Sequence, residues 1–289
     1  MSRPWVGSLA AIALLCAMSS HAQQAGDRTM SPGQQTYEQK LAQLKWVRGP
    51  AKVATAGNAQ LAIPEGFTYL DAANTKKFLE LNENLGDGDE VMVAPQSLEW
   101  QAYLSFVDEG YVKDDEKIDP DALLKSLQES ARAQNPERKK RGWSELTVVG
   151  WATPPAYNST TKRLEWATIL ESENGRGANF FTKVLGRRGH ASIQMVAGES
   201  TLQAAERSLN DVLVGYSFNP GDTYAEFKPG DKVAEYGLAA MVLGGAAAVA
   251  TKKGLWGVLA GFFAAAWKFV AAAVVAAFAG IKRLFQKKE

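Results

Sequence analysis

Between about Trp46 and Gly230 the chain alternates stretches with two different hydrophobic periods. Apolar residues in alternate positions, or in short β-branched runs, predict strands over Gln60–Pro64, Glu90–Ala94, Glu99–Val107, Leu146–Trp151, Leu164–Glu171, Asn179–Leu185 and His190–Val196. The run Glu99-Trp100-Gln101-Ala102-Tyr103-Leu104-Ser105-Phe106 shows the alternation that suits a sheet with one wet face. Helical spacing appears over Asp119–Ala133, opened by Asp119-Pro120 as N-cap and first-turn proline, and over Thr201–Val214, preceded by Ser200. Leu41 and Leu44 predict a shorter helix within Tyr37–Trp46. The turn Gly186-Arg187-Arg188-Gly189 joins two predicted strands as an antiparallel hairpin. The expected fold is α+β, an antiparallel sheet with packed helices, followed by an apolar helical membrane anchor.

The two ends have a different pattern. Residues 1–22 have the parts of a secretory signal: Arg3, an apolar run from Trp5 to Met18, and small Ser20 and Ala22 before the expected cleavage point. Residues 23–45 form a polar leader ending in the short helix, and 46–230 form the exported domain. Residues 231–289 read as a C-terminal anchor of one or two helices. Leu255–Ile281 is apolar except for Lys268, and at 1.5 Å per residue it reaches about 40 Å, enough to cross a hydrocarbon core of about 30 Å. The Gly- and Ala-rich stretch Gly237–Ala250 reaches only about 21 Å, and its small residues suit close helix packing or a homo-oligomer. These features place the chain in the inner membrane with its main domain in the periplasm.

Charge adds an asymmetry hidden by the formal net of +1. Residues 23–233 hold 24 Lys and Arg against 29 Asp and Glu, whereas the terminal regions are basic. An acidic body argues against nucleic acid as a ligand, and the basic tail suits a lipid surface. Cys16 and His21 lie in the signal region, which leaves His190 as the sole mature histidine. That removes most routes to a metal site or to a Ser/His or Cys/His nucleophile pair, so neither metal nor cofactor is expected. No phosphate loop, dinucleotide fingerprint or nucleophile elbow is present.

The remaining candidate chemistry is carboxylates, arginines and aromatics. The dense run Asp108–Asp121 contains Asp114 and Asp115 but lacks calcium-loop spacing, and reads as a solvated connection ending in a helix cap. Glu165 and Glu171 share a strand face but stand about 20 Å apart along it, too far for one hydrolytic pair. Arg187 and Arg188 on their glycine-flanked turn have the geometry to capture an anion. Trp100, Tyr103, Trp143, Trp151, Trp166 and Phe180 offer either a sugar platform or, more commonly, core. Gly221–Gly237, with Tyr224, Phe227, Asp231 and Tyr236, links body to anchor, and its aromatics suggest docking against the body or lipid headgroups.

Several of these segments together resemble a bacterial family of uncharacterised membrane-anchored proteins, domain of unknown function 2167. They are Gly49-Pro50-Ala51, Gly110-Tyr111-Val112-Lys113-Asp114-Asp115, Asn135 with Arg138, and Gly150-Trp151 leading to Pro155 and Tyr157. Leu164-Glu165-Trp166-Ala167, Leu185-Gly186-Arg187-Arg188-Gly189, Gly221-Asp222-Thr223-Tyr224-Ala225 and Gly230-Asp231-Lys232 complete the set. The resemblance implies an exported domain with a C-terminal anchor and carries no activity, cofactor or catalytic residue. The order of elements is also similar in outline to the small α+β fold of photosystem-assembly and nuclear-import accessory proteins. The expected role is a non-enzymatic interaction or structural role at the outer face of the inner membrane, with an envelope protein as partner. The alternative is an envelope hydrolase or ligand-binding module, with candidate contacts Asp114, Asp115, Glu165, Arg187, Arg188, Tyr224 and Asp231.

Overall fold

A computed structural model describes residues 36–244, apart from 83, 85–87, 141, 143 and 174. The expected signal peptide, nearly all of the leader and the apolar run Leu255–Ile281 lie outside the described residues. Among the described residues no helix is long and apolar enough to cross a membrane.

Helix α1 (Tyr37–Ala42) starts at a capping box in which Thr36 and Gln39 satisfy each other's backbone amides. Strands β1 (Val47–Arg48), β2 (Ala51–Thr55), β3 (Ala59–Ile63) and β4 (Phe67–Leu70) follow, then α2 (Ala72–Leu81), capped by the Asp71 carboxylate. Next come β5 (Val91–Pro95), β6 (Gln101–Val107), α3 (Pro120–Lys140), β7 (Thr147–Asn158), β8 (Arg163–Ser172), β9 (Gly175–Leu185) and β10 (His190–Gly198). The described chain closes with α4 (Leu202–Leu213), β11 (Tyr216–Phe218) and the short α5 (Leu238–Val242).

Eight strands form one sheet in the order β1-β4-β5-β6-β10-β9-β8-β7, with every pairing antiparallel. A second sheet runs β11-β3-β2. Directly paired residues share a face, so the register shows which side each helix covers. Ala167, Phe180, Ile193, Leu104 and Val93 lie on one face, in a core with Leu202, Ala205, Leu209, Val212 and Leu213 of α4 and Leu61 and Ile63 of β3. On the other face, Phe78 and Leu79 of α2 pack on Leu70, Met92, Ala94 and Tyr103. At the far end of that face Ala131 of α3 packs on Leu146, Val148 and Leu170. Fully buried side chains such as Leu209 and Ile193 each contribute about 1.5–3 kcal/mol relative to exposure.

The seven expected strands are present with shifted ends, and the turn at Gly186–Gly189 closes the β9–β10 hairpin through Gly186 N–H to Gly189 O at 2.8 Å. Three differences from the sequence reading have physical causes. Strand β7 continues past Trp151 through Pro154-Pro155 to Asn158, because it is an edge strand with register shifts that leave proline's missing N–H harmless. Helix α3 does not stop at Ala133 but runs through Pro136 to Lys140, its last turn carrying Arg138, Lys139 and Lys140 toward the negative end of the helix dipole. Strands β1, β2, β4 and β11 and helix α2 were not anticipated, the strands being short and given their faces by tertiary pairing.

Asn135 and Arg138 tie that last turn to β7. Asn135 donates to Leu146 O at 3.1 Å and accepts from Leu146 N–H at 2.9 Å, while Arg138 Nε donates to Ser144 O at 2.8 Å. Leu146 is buried, so its backbone has no ready solvent substitute. Asn135→Ala is expected to cost about 1–3 kcal/mol in chemical denaturation, from unsatisfied backbone groups rather than from a lost apolar contact. An unchanged midpoint would refute that role.

Candidate functional site

Five of the seven candidate residues meet at one end of the large sheet. The β9–β10 turn presents Arg187, whose Nε and Nη2 donate to the two oxygens of Asp231 at 2.7 and 2.8 Å, and whose Nη1 donates to Gly221 O at 3.0 Å. Beside it Arg188 pairs with Asp222 at 2.6 Å, and Asn58 Nδ2 donates to the other oxygen of Asp222 at 2.5 Å. Glu226 turns back to accept from Gly221 N–H, Thr223 N–H and the Thr223 hydroxyl. The segment 221–236 is thereby strapped across the turn.

The strap also pairs with the loop after β6. Gly186 bridges to Thr223 and Tyr111 to Val233, and Tyr111 N–H donates to Lys232 O at 2.8 Å. Gly110 has φ +96°, and a Cβ there would stand 2.7 Å from Lys232 O, so both conformation and space require glycine. A Cβ on Gly189 would fall 1.9 Å from Val107 O, which lets the turn seat against the end of β6. Tyr111 stacks between Tyr224 at 4.4 Å and Phe227 at 4.3 Å. The Tyr224 hydroxyl donates to Val112 O at 2.9 Å, and Tyr236 bonds Glu109.

Asp114 joins this stack to the β7–β8 hairpin. It accepts from the Tyr157 hydroxyl at 2.8 Å and from Lys162 Nζ at 2.9 Å, and Lys162 lies 4.8 Å from the centre of the Tyr224 ring. Tyr157, Lys162, Tyr111, Glu226 and Asn58 therefore complete a cluster of which the sequence indicated Asp114, Arg187, Arg188, Asp231 and the linker aromatics Tyr224, Phe227 and Tyr236. Tyr157 and Tyr111 stood within the segments quoted for the family resemblance, which was the available signal.

Two candidates stay outside. Asp115 is exposed beside Asp114 and takes no part in these contacts. Glu165 accepts from the Thr182 hydroxyl at 2.6 Å, on the face of β8 that looks toward α4. Tyr157, paired with Leu164, holds Asp114 on the opposite side. Glu171 lines an open hollow of about 640 Å³ with Lys139, Glu145 and Glu173, at the far end of β8. Of the six aromatics, Trp100, Tyr103, Trp166 and Phe180 are buried, on two different faces, Trp151 is half-buried with its indole N–H donating to Pro120 O at 3.1 Å, and Trp143 lies outside the described residues. Among the described residues no group of three or more His, Cys, Asp or Glu is placed to hold a metal ion.

The electrostatics are those of a saturated cluster. Hydrogen bonds from Arg187 hold Asp231 down at about 2, and the same contact raises Arg187. The Asn58 amide and Arg188 lower Asp222, and the Thr223 hydroxyl lowers Glu226. Burial opposes ionisation of Asp114, but Lys162, Tyr157 and Tyr224 outweigh it and keep its carboxyl low. Burial raises the phenols of Tyr157 and Tyr224. None of these shifts brings an acid or base near neutrality, where proton transfer in catalysis works best.

A second group was missed in the sequence. Lys183 on β9 sits 2.5 Å from the Ser192 hydroxyl on β10 and 5.9 Å from the Trp166 ring centre. Burial pushes its ammonium down to about 8, against the nearby Glu109 carboxylate. His190, buried two residues before Ser192, is held neutral by burial and by Lys183.

Two titrations follow. The Arg187–Asp231 pair stabilises the fold above the unfolded carboxylate value of 3.8 and loses that contribution as pH falls toward 2. The Arg187 Nε–H resonance should move over that window, and Asp231→Asn should abolish the step. Lys183, depressed from 10.5 to about 8, binds less proton folded than unfolded between those values. Wild-type stability should therefore rise relative to Lys183→Met from pH 8 to 10.5; a flat difference would mean an unperturbed lysine.

A family model described as protein of unknown function (DUF2167) matches residues 47–278. No curated protein matches the chain significantly. Among solved structures, the chain is similar to the solution structure of cyanobacterial PsbP (CyanoP) from Synechocystis sp. PCC 6803, at 5% identity over 58% of this chain and 92% of that one, with a TM-score of 0.35. Nothing about function follows from a likeness of that degree. The family match spans most of the sequence, from the first strand into the C-terminal apolar run, and the chain belongs to the DUF2167 family of proteins of unknown function.

Proposed function

We propose that this chain is a non-enzymatic envelope protein, its exported α+β domain held at the outer face of the inner membrane by the apolar segment 255–281 and engaging a protein partner there. The observation that supports this reading is the strap itself. Charged and aromatic residues that would be expected to line a ligand site are instead spent on fixing residues 221–236 to the domain, through Arg187–Asp231, Arg188–Asp222 and the Tyr111–Tyr224–Phe227 stack. A segment leading to an anchor gains from such clamping, because it fixes the domain's orientation to its tether and lowers the ordering cost of binding a second protein.

The hydrolase reading needs Asp114, Glu165 and Arg187 around one cleft. Glu165 is directed to the opposite face from Asp114, and both Asp114 and Arg187 are already engaged, so that reading has no site to stand on.

The described residues 36–244 fall within one compact unit, which makes a chain ending at 245 a fair comparison. Tagged full-length protein should resist carbonate extraction and bring down a partner at near-equal abundance from detergent-solubilised membranes. The shortened form should be released by carbonate. A full-length chain that carbonate strips away would refute the anchor, and the absence of any stoichiometric partner across growth conditions would refute the adaptor role.

A further inference from the structure

The strap's carboxylates and its lysines are treated differently. Asp222, Glu226 and Asp231 are drawn into pairs with Arg188, with the Gly221 and Thr223 groups, and with Arg187. Lys228 and Lys232 remain on the outer surface, joined by the exposed Lys113 of the loop that the strap pairs with. The same strap exposes two apolar side chains. Phe227 is 36% exposed although stacked on Tyr111, and Val233 is 40% exposed although its backbone bridges to the same tyrosine. Both therefore meet Tyr111, Phe227 through its ring and Val233 through its backbone, and both lie in the segment that carries the exposed Lys228 and Lys232. The same loop and strap also expose the acids Asp115 and Glu235, so the charge is mixed and the distinguishing feature is the exposed Phe227 and Val233.

We infer that Phe227 and Val233, with Lys113, Lys228 and Lys232, form a docking surface for the anionic headgroup layer of the membrane that holds the chain. The inference rests on the anchored reading above. The occupant is argued from where the chain goes: only 10 residues lie between Gly244, the last described, and Leu255, where the apolar run begins. Fully extended, that stretch spans at most about 40 Å, so the strap cannot stray far from the bilayer. An aromatic with a lysine rim is the side-chain combination that partitions to a membrane–water boundary, the ring at headgroup depth and the ammonium groups on lipid phosphates. Docking there sets the face that the domain turns to its partner, which a tether alone leaves free.

The test uses the full chain, with Cys16 replaced by serine, in vesicles of phosphatidylcholine with or without phosphatidylglycerol. A fluorophore is attached at Ala225→Cys, exposed in the strap, or at Val149→Cys, exposed on β7 eight residues and about 25 Å from Tyr157. A headgroup spin-labelled lipid serves as quencher. Quenching at 225 is expected to exceed that at 149 several-fold in anionic vesicles. It should fall toward the control value in zwitterionic vesicles, in Lys228→Glu/Lys232→Glu and in Phe227→Ser, with circular dichroism unchanged. Equal quenching at the two positions in carbonate-resistant chain overturns the docking surface and leaves the anchor standing. A chain that carbonate removes from the vesicles overturns the anchor, and the inference with it.

Discussion

An eight-stranded sheet that is apolar on both faces has to be covered twice, and most of this architecture meets that requirement. The face bearing Ile193, Phe180 and Ala167 is closed by α4 and the small β11-β3-β2 sheet, which share one core with it. The reverse face is closed in two places, by α2 over β4, β5 and β6 and by α3 over β7 and β8. The loop from β6 must therefore travel from the middle of the sheet to α3 at its edge. That journey brings Gly110–Asp114 past the β9–β10 turn, where the strap returns to meet it.

The parts of the fold legible in the sequence were the longer central strands and the helix with one apolar side, but the one wet face expected from Glu99–Phe106 is not found, because Gln101 and Tyr103 are buried as well as Trp100, Ala102 and Leu104. Strands β6, β8, β9 and β10 lie at the centre of the sheet, and α4 keeps Leu202, Ala205, Leu209, Val212 and Leu213 on one side. Strand β11, three residues long, owes its identity to pairing with β3 more than 150 residues earlier, and no local pattern encodes that. The end of α3 misled for a different reason. Asn135-Pro136 reads as a stop in an isolated helix, but the Asn135 side chain imitates a strand neighbour of Leu146, and this tertiary bond accompanies the extra turn.

The strap shows the same division between local and distant information. Arg187, Arg188, Asp231 and Tyr224 stood out because charge on a glycine-flanked turn and aromatics in a linker are visible one segment at a time. Their mutual contacts were not, since Arg187 meets Asp231 across 44 residues and Tyr224 meets Val112 across 112. The short segments Gly110–Asp115, Leu185–Gly189, Gly221–Ala225 and Gly230–Lys232 looked like separate motifs in the chain. In three dimensions they are one assembly, with Arg187 bonded to both Asp231 and Gly221 and Gly110 N–H donating to Arg188 O. A pattern of glycines and charges recurring in such segments is then accounted for by the need to seat one backbone against another, without invoking a reaction.

That distinction bears on how charged clusters in such domains are interpreted. A catalytic group must exchange a proton or hold a developing charge, so its partners leave it near neutrality or with a free direction. Asp231 is held at about 2 by a bidentate arginine, Asp222 accepts from Asn58 and Arg188, and Glu226 accepts three hydrogen bonds. Each carboxylate is locked in its charged form, which gives directional rigidity in place of reactivity. Lys183 is the contrast: buried against Ser192 and lowered to about 8, it is poised near neutrality on strands whose register the sheet fixes, and it reaches the strap only through Glu109, which bonds Tyr236. The two groups thus occupy opposite electrostatic regimes, and the carboxylates that clamp the segment leading out of the domain are the ones built to hold still.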